Sequence, residues 1–150
     1  HTYSHDYATV YSSVEAYFDD LEKIGEVAKE QIGYVPCFIR FPGGASNTVS
    51  AKYTKGIMSE LVELVQKKGY QYYDWNISSG DGESGTTKEE LIKNSETDKY
   101  SHVMILFHDT AAKDATVEAL PHILDYYKNL GYEFRAIDRE SYVVHHGVNN

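Results

Sequence analysis

The hydrophobic positions of this chain recur at helical spacing over several stretches that end at glycine. Behind a capping-box pattern at residues 12–15, apolar side chains recur every three or four positions over residues 14–28, and the run stops at Gly33. This pattern predicts an amphipathic helix. Three further helices are predicted in the same way. The first covers residues 57–65 and is followed by Gly69, and the second is short and capped at residues 87–90. The third covers residues 120–130, with Pro121 in its first turn and Gly131 after its end.

Short apolar runs lie between and after these helices and read as buried strands. They cover residues 37–41, 70–75, 103–107 and 132–137. The strands alternate with helices at intervals of about thirty residues, which is the length of a βα unit. Such alternation predicts an α/β fold with a parallel sheet covered by helices, either open or curled into a barrel.

Polar residues stand where the predicted strands end, and in parallel α/β folds functional side chains gather at this edge. They are Arg40 with Pro42-Gly43, Asp74-Trp75-Asn76, His108-Asp109 and Asp138-Arg139. His1 and His5 would occupy the same edge if a strand ran into them. We therefore expect the chain to begin at the end of a strand that it does not contain.

Composition narrows the function classes. A chain of 150 residues with 41% apolar residues fits one domain with a real core. The 23 acidic and 14 basic residues give a formal charge of -9, which repels phosphate backbones and argues against a nucleic-acid partner. No apolar run approaches the roughly 18 residues of a membrane span. Cys37 is the only cysteine and lies among apolar neighbours, which favours a buried structural role.

Two imidazoles four residues apart, His1 and His5, are a candidate for half of a metal site, because histidine is a common zinc ligand. Taken alone the pair is a weak signal, since the HExxH helix of zinc proteases has Glu after the first His and Thr2 stands here. Structural interpretations stay open for other residues. Arg40 could pair with Asp74 as an ion bridge, Trp75 could be core and His108 a satisfied strand-end histidine, while His145-His146 is predicted to lie in a solvated tail.

Four motifs together resemble the second to fifth motifs of the NodB-homology polysaccharide deacetylases in order and spacing. They are His1-Thr2-Tyr3-Ser4-His5, Arg40-Phe41-Pro42-Gly43-Gly44, Asp74-Trp75-Asn76 and Leu106-Phe107-His108. The resemblance covers nearly the whole chain. It implies the C-terminal portion of an irregular (β/α) barrel and a metal-dependent hydrolase that removes the N-acetyl group from N-acetylglucosamine units of peptidoglycan or chitin-type glycans.

The resemblance also implies roles for individual residues. His1 and His5 would bind a divalent metal, zinc in the first place and cobalt or nickel as alternatives. His108 would be the general acid that protonates the departing amine. Arg40 would hold the catalytic aspartate, with Asp74 steadying it. In the pocket, Pro42 and Gly43 would supply the oxyanion-binding loop, and Trp75 and Leu106 would wall the space for the acetyl methyl group.

The first motif of the family, two adjacent aspartates upstream of the histidines, has no counterpart in front of His1. Phe18-Asp19-Asp20 also contains two adjacent aspartates, but it falls within the first predicted helix, where we expect a solvated acidic face. The sequence therefore predicts a deacetylase domain over residues 1–150 that lacks its N-terminal part, its catalytic base and its third metal ligand. This chain alone is predicted to be weak or inactive.

Two alternatives to an active enzyme remain open at this point. The chain could be a non-catalytic remnant that binds glycan or metal, or a fragment completed by another chain, for example as a homo-oligomer through the exposed edge of a truncated sheet. For the family, the resemblance implies an N-acetylated glycan as partner and a location outside the cell or in the cell envelope.

Overall fold

A computed structural model describes all 150 residues, which form five α-helices and four short strands. In chain order the elements are α1 Tyr7–Val10, α2 Val14–Ile32, β1 Phe38–Ile39, a 3₁₀ turn Val49–Lys52, α3 Ile57–Lys67, β2 Gln71–Tyr72, β3 Ile77–Ser78, α4 Lys88–Ser95, β4 Ile105–Leu106 and α5 Asp114–Asn129. The chain divides into two compact units, the first His1–Asp74 with His145–Asn150 and the second Trp75–Val144. No helix combines the length and the apolar character needed to cross a membrane.

The first unit is built on a parallel pair of strands. β1 and β2 pair with Phe38 opposite Gln71 and Ile39 opposite Tyr72, as the alternation of strands and helices predicted. α2 begins at Ser13, whose side chain accepts a hydrogen bond from the Ala16 N–H, and it ends at a left-handed Gly33. The predicted helix and its end at Gly33 are thus confirmed, while its N-cap is Ser13 and not the first serine of the capping-box pattern at residues 12–15. α3 contributes its apolar face to the same core, with Ile57, Met58, Leu61 and Val65 all buried.

Aromatic rings form a continuous series through the first unit. Adjacent rings lie 3.7 to 6.4 Å apart between centroids, in the order His1, His5, Tyr7, Tyr11, Tyr17, Phe41, Tyr72, His145. Tyr11 and Tyr17 are completely buried, so these tyrosines serve packing. The series connects the imidazole pair at the start of the chain to the core.

The second unit contains the parallel pair β3 and β4, with Ile77 opposite Ile105 and Ser78 opposite Leu106. The side chain of Asn76 fixes the start of β4, because it accepts from the Met104 N–H and donates to the His102 carbonyl. α4 begins with the predicted capping box, in which Thr87 and Glu90 each satisfy the other's backbone N–H. Leu91 of α4 packs with a core from α5 made of Ala119, Ile123 and Tyr127.

Two predictions for the second unit are wrong. Residues 132–137 form no strand. The fourth strand is instead β3, which lies at the start of a segment rich in glycine and serine, residues 78–86. A strand exists only through hydrogen bonds to a neighbour, and the alternating pattern at 132–137 does not supply one. Pro121 lies inside α5 and not in its first turn, because α5 begins at Asp114. The helix continues through Pro121 and packs against α4.

The C-terminal residues are docked, so the prediction of a solvated tail at His145-His146 is also wrong. The His145 ring stacks on Tyr72 at 3.7 Å, and the His146 N–H donates to the Asp74 carboxylate at 2.8 Å. Asn150 then satisfies the start of α3, because its side-chain oxygen accepts from Gly56 N–H and its carbonyl accepts from Ser59 N–H. Side-chain and backbone contacts to a buried carboxylate and a helix end thus hold this segment in the first unit.

The loop after β1 turns through two consecutive left-handed glycines. Gly43 and Gly44 both have φ of +76°, and the Gly44 N–H donates to the Phe41 carbonyl. The Ala45 N–H donates to the Asp74 carboxylate at 2.9 Å. A Cβ on Gly43 would lie 2.5 Å from the Tyr7 hydroxyl oxygen. Glycine is therefore required at position 43 by both the backbone conformation and the available space.

We expect Asp74→Ala to lower the unfolding free energy by about 3 kcal/mol, because it removes the acceptor of the buried Ala45 N–H and of the partly buried His146 N–H. Urea denaturation measures the loss. Asp19→Ala removes an exposed carboxylate and should change stability by less than about 0.5 kcal/mol. Equal stability of the two variants would contradict the anchoring role of Asp74.

We expect Gly43→Ala to destabilise the chain by about 1 to 3 kcal/mol more than Gly69→Ala, because both glycines have positive φ but only Gly43 faces a close neighbour. The comparison uses thermal or urea unfolding of both variants. Adding Tyr7→Phe to Gly43→Ala removes the obstructing oxygen and should recover part of the difference. No recovery would argue against the position of the Tyr7 hydroxyl.

Candidate functional site

His1 and His5 lie side by side ahead of α1. Their ring centroids are 4.7 Å apart in an edge-on arrangement, and both residues are exposed. His1 Nδ1 is 2.5 Å from the carbonyl oxygen of Arg40. When Nδ1 carries the ring proton it donates to this carbonyl, which leaves Nε2 as the unprotonated nitrogen that a metal requires. The backbone that ends β1 thus orients one of the two candidate ligands.

The imidazole pair fits a divalent transition metal by donor type and by proximity. The chain provides no group of three or more His, Cys, Asp or Glu side chains placed to hold a metal ion. Beside His1, the Thr2 hydroxyl is buried and makes no hydrogen bond. The pair therefore supplies two of the three protein ligands that are usual in a catalytic zinc site.

Asp20 departs from the solvated acidic face predicted for residues 18–20. Its exposed fraction is 2%, and its Oδ2 accepts a hydrogen bond from the Ser4 N–H at 2.9 Å. Asp19, its neighbour in α2, is exposed as predicted. Asp20 was mispredicted because helical periodicity indicates only which face of α2 is apolar. Periodicity does not show that the Ser4 N–H packs against an aspartate on another face of that helix.

Arg40 and Asp74 meet at the ends of β1 and β2, where the sequence placed them. The Arg40 guanidinium donates to the backbone carbonyls of Tyr73 and Asp74, at 3.1 and 3.3 Å. Burial lowers the pKa of Arg40, and the nearby Asp74 carboxylate acts in the opposite direction. The carboxylate of Asp74 is fully buried and accepts from the N–H groups of Ala45 and His146. Asp74 thereby connects the Gly43 loop to the docked C-terminal segment.

Gly43 presents its backbone at the surface of this loop. Its N–H makes no hydrogen bond within the chain, whereas the N–H groups of Gly44 and Ala45 are both used. Pro42 is buried, and its carbonyl accepts from the Tyr11 hydroxyl at 2.6 Å. The loop is therefore rigid around one exposed N–H, which is the arrangement that binding of an oxyanion requires.

In the second unit, His108 forms a dyad with Asp81. His108 Nδ1 lies 2.7 Å from Asp81 Oδ1, and the His108 backbone N–H donates to Asp81 Oδ2 at 2.7 Å. The His108 side chain is 42% exposed while Asp81 is 3% exposed. Asp81 thus fixes both the backbone and the ring of His108, and the ring keeps an open side for a ligand.

Three further groups hold the Asp81 carboxylate and backbone in place. The hydroxyls of Ser79 and Thr116 donate to the carboxylate, and the Lys113 ammonium donates to the Asp81 carbonyl. Burial raises the pKa of Asp81, but the hydrogen bonds from His108 and Ser79 outweigh it and leave the pKa below its ordinary value. The carboxylate is therefore ionised near neutral pH, as a partner of a histidine that carries a proton must be.

Sequence reasoning missed Asp81. It lies in a segment rich in glycine and serine, residues 78–86, three residues after β3, a strand that the periodicity did not show. The available signal was the rule that functional side chains follow strand ends. Had Ile77–Ser78 been recognised as a strand, Asp81 would have stood at its carboxyl end like the other candidates.

Trp75 and Leu106 also belong to the second unit. Trp75 is the residue before Asn76 and is partly exposed, and Leu106 is the last residue of β4 and also partly exposed. Their proposed role as pocket walls stays a prediction.

Comparisons with known proteins point to one family. No protein-family model matches the chain. The chain is 24% identical over 151 residues to "Putative polysaccharide deacetylase YheN" of Bacillus subtilis (strain 168), a match that spans 97% of this chain and 50% of the relative. The chain thus spans about half the length of this curated relative.

Solved structures give a closer match. The catalytic domain of peptidoglycan N-acetylglucosamine deacetylase from Eubacterium rectale ATCC 33656 is 40% identical with a TM-score of 0.95, and the match covers 100% of this chain and 69% of that one. The polysaccharide deacetylase Bc1974 from Bacillus cereus is 26% identical with a TM-score of 0.76, covering 99% and 68%. These structures confirm the predicted α/β fold of the (β/α)-barrel type. By sequence and by fold, the chain belongs to the NodB-homology polysaccharide deacetylases.

Proposed function

We propose that this chain forms part of a metal-dependent deacetylase that hydrolyses the N-acetyl amide of N-acetylglucosamine units in peptidoglycan or chitin-type glycans. The observation that carries the proposal is the His108–Asp81 dyad, a partly exposed imidazole bound through Nδ1 to a buried carboxylate. Amide hydrolysis needs a proton for the leaving amine, and an imidazole held in this way is positioned to deliver one. Such a substrate fits a location outside the cell or in the cell envelope.

The dyad divides its work between two side chains. In the imidazolium form of His108, Asp81 accepts a hydrogen bond from Nδ1–H, and Nε2–H is left to protonate the amine as the carbon–nitrogen bond breaks. The ionised carboxylate also stabilises the imidazolium form that precedes this transfer. Because the His108 N–H donates to the same carboxylate, the ring and its backbone are positioned as one body.

Other residues would bind the acetyl group as its carbonyl carbon becomes tetrahedral. His1 and His5 would hold the divalent metal, zinc or alternatively cobalt or nickel, which when bound polarises the carbonyl and lowers the pKa of a water. The Gly43 N–H, free of internal hydrogen bonds, would donate to the oxyanion. Trp75 and Leu106 would enclose the acetyl methyl group, and Arg40 with Asp74 would hold the catalytic aspartate of the complete site.

We further propose that the 150-residue chain is by itself a weak or inactive enzyme. Its side chains offer two imidazoles to the metal and no group of three ligands, so the metal would be held loosely and its water would lack a base. The same observation favours a second candidate function, a non-catalytic chain that binds glycan or metal, or one that is completed by another chain.

Isothermal titration with zinc and an acetate-release assay on chitooligosaccharides test these proposals together. We expect zinc binding that weakens at least about tenfold in His1→Ala and in His5→Ala, with the exposed His122→Ala of α5 as matched control. Acetate release should fall far below the roughly 1–10³ s⁻¹ typical of enzymes and should vanish in His108→Ala.

Each result has a different meaning. A rate within the ordinary enzyme range would refute the weak-activity proposal and support the deacetylase. Binding of zinc and glycan with no acetate release would favour the binding function. Absence of both zinc binding and acetate release would contradict the proposed function of this chain.

Asp81→Asn tests the dyad through the pH dependence of stability. The folded-state pKa of Asp81 lies below its ordinary value of 3.8, so the ionised carboxylate stabilises the fold above this pH, and the contribution is lost as the pH falls through the folded-state pKa. We expect Asp81→Asn to cost about 1 to 3 kcal/mol near neutral pH and progressively less on acidification below 3.8.

Denaturation in urea across this pH range measures the effect. Glu83→Gln removes an exposed acid from the same loop and serves as the control, with little expected change at any pH. A cost for Asp81→Asn that stays constant on acidification would show that the charge of Asp81 does not stabilise the fold.

A further inference from the structure

Asp20 is buried although it lies on a helix that has a solvated face. Its exposed fraction is 2%, and one helix position away Asp19 is exposed. A buried carboxylate is costly unless it is hydrogen-bonded, and Asp20 accepts one backbone N–H, that of Ser4 at 2.9 Å. The contact joins α2 to the segment that carries both candidate metal ligands.

His5, the residue after Ser4, has a strained backbone. Its φ of +53° is the only positive φ of a non-glycine residue in the chain. Such a conformation costs of order 1–3 kcal/mol and persists where the surrounding structure enforces it. Hydrogen bonds hold the residues on both sides of His5. The Ser4 N–H donates to Asp20. Asp6 is the N-cap of α1, and its side chain accepts from the Ala8 N–H and the Thr9 hydroxyl.

The strained turn determines where the His5 ring lies. With Ser4 and Asp6 fixed, the left-handed turn at His5 directs its ring toward His1, at 4.7 Å between centroids. Without the hydrogen bond at Ser4, the segment could relax to an ordinary φ and the ring would leave this position. Asp20 suits this task because it lies within the 19-residue helix α2, which fixes the position of the acceptor.

We propose that Asp20 is a positioning residue for the candidate metal site: by holding the Ser4 N–H, it keeps His5 in its left-handed conformation and its imidazole beside that of His1. The proposal rests on the proposed function, in which these two imidazoles bind the metal. Asp20 itself does not contact the metal.

Zinc affinity and hydrogen exchange of the Ser4 amide test the proposal. Zinc affinity is measured by isothermal titration, and amide exchange by NMR, on the 150-residue chain. We expect Asp20→Ala to weaken zinc binding by about 10- to 100-fold and to accelerate exchange at Ser4. Asp20→Asn keeps an oxygen that can accept the Ser4 N–H, so it should retain slow exchange and lose less zinc affinity than Asp20→Ala. Asp19→Ala is the matched control and should change neither quantity.

The outcomes separate this proposal from the proposed function. Unchanged zinc affinity and unchanged Ser4 exchange in a folded Asp20→Ala variant would overturn the role of Asp20. If Asp20→Ala does not fold, Asp20→Leu replaces it, because leucine keeps a branched side chain of similar shape without an acceptor. Faster Ser4 exchange in Asp20→Leu than in Asp19→Leu supports the role, and equal exchange in the two overturns it. If the wild-type chain binds no zinc, the metal site of the proposed function is wrong, and Ser4 exchange alone then decides whether Asp20 holds this segment.

Discussion

Three buried aspartates each hold the backbone of a segment that carries candidate functional side chains. Asp20 accepts the N–H of Ser4 beside His5, Asp74 accepts the N–H of Ala45 beside the Gly43 loop, and Asp81 accepts the N–H of His108. A buried carboxylate is unfavourable unless it is hydrogen-bonded, and a backbone N–H in a loop needs an acceptor. Each of these hydrogen bonds therefore meets both requirements at once and ties the loop to the aspartate.

This way of holding a site suits strands as short as those of this chain. Each ladder has two residues per strand, so regular pairing ends close to the candidate functional side chains and does not extend past them. Beyond the paired residues, Asp74 and Asp81 accept hydrogen bonds from backbone N–H groups that a neighbouring strand would otherwise have accepted. The division is clearest at His108, which lies two residues past β4 and receives both its backbone and its ring contact from Asp81.

The proposed deacetylase function assigns a chemical task to residues in each of these three segments. Hydrolysis of an acetamide needs a donor for the oxyanion, a metal that polarises the carbonyl and an acid for the amine. Of the residues to which the proposed function assigns these tasks, Gly43, His1 and His5 lie in the first unit and His108 lies in the second. Each group is presented by a segment whose conformation a buried carboxylate enforces.

The sequence by itself determined the local elements and the identity of the motif residues. Helix α2 with its Ser13 cap and the capping box at Thr87 follow from side chains a few positions apart, and the parallel β1–β2 pair follows from alternation of strands with helices. The tertiary structure alone decided which acids are buried and what they hold. Ser4 and Asp20 are 16 residues apart, His108 and Asp81 are 27 apart, and His146 and Asp74 are 72 apart. Such contacts depend on how distant elements pack, and no local periodicity encodes that packing.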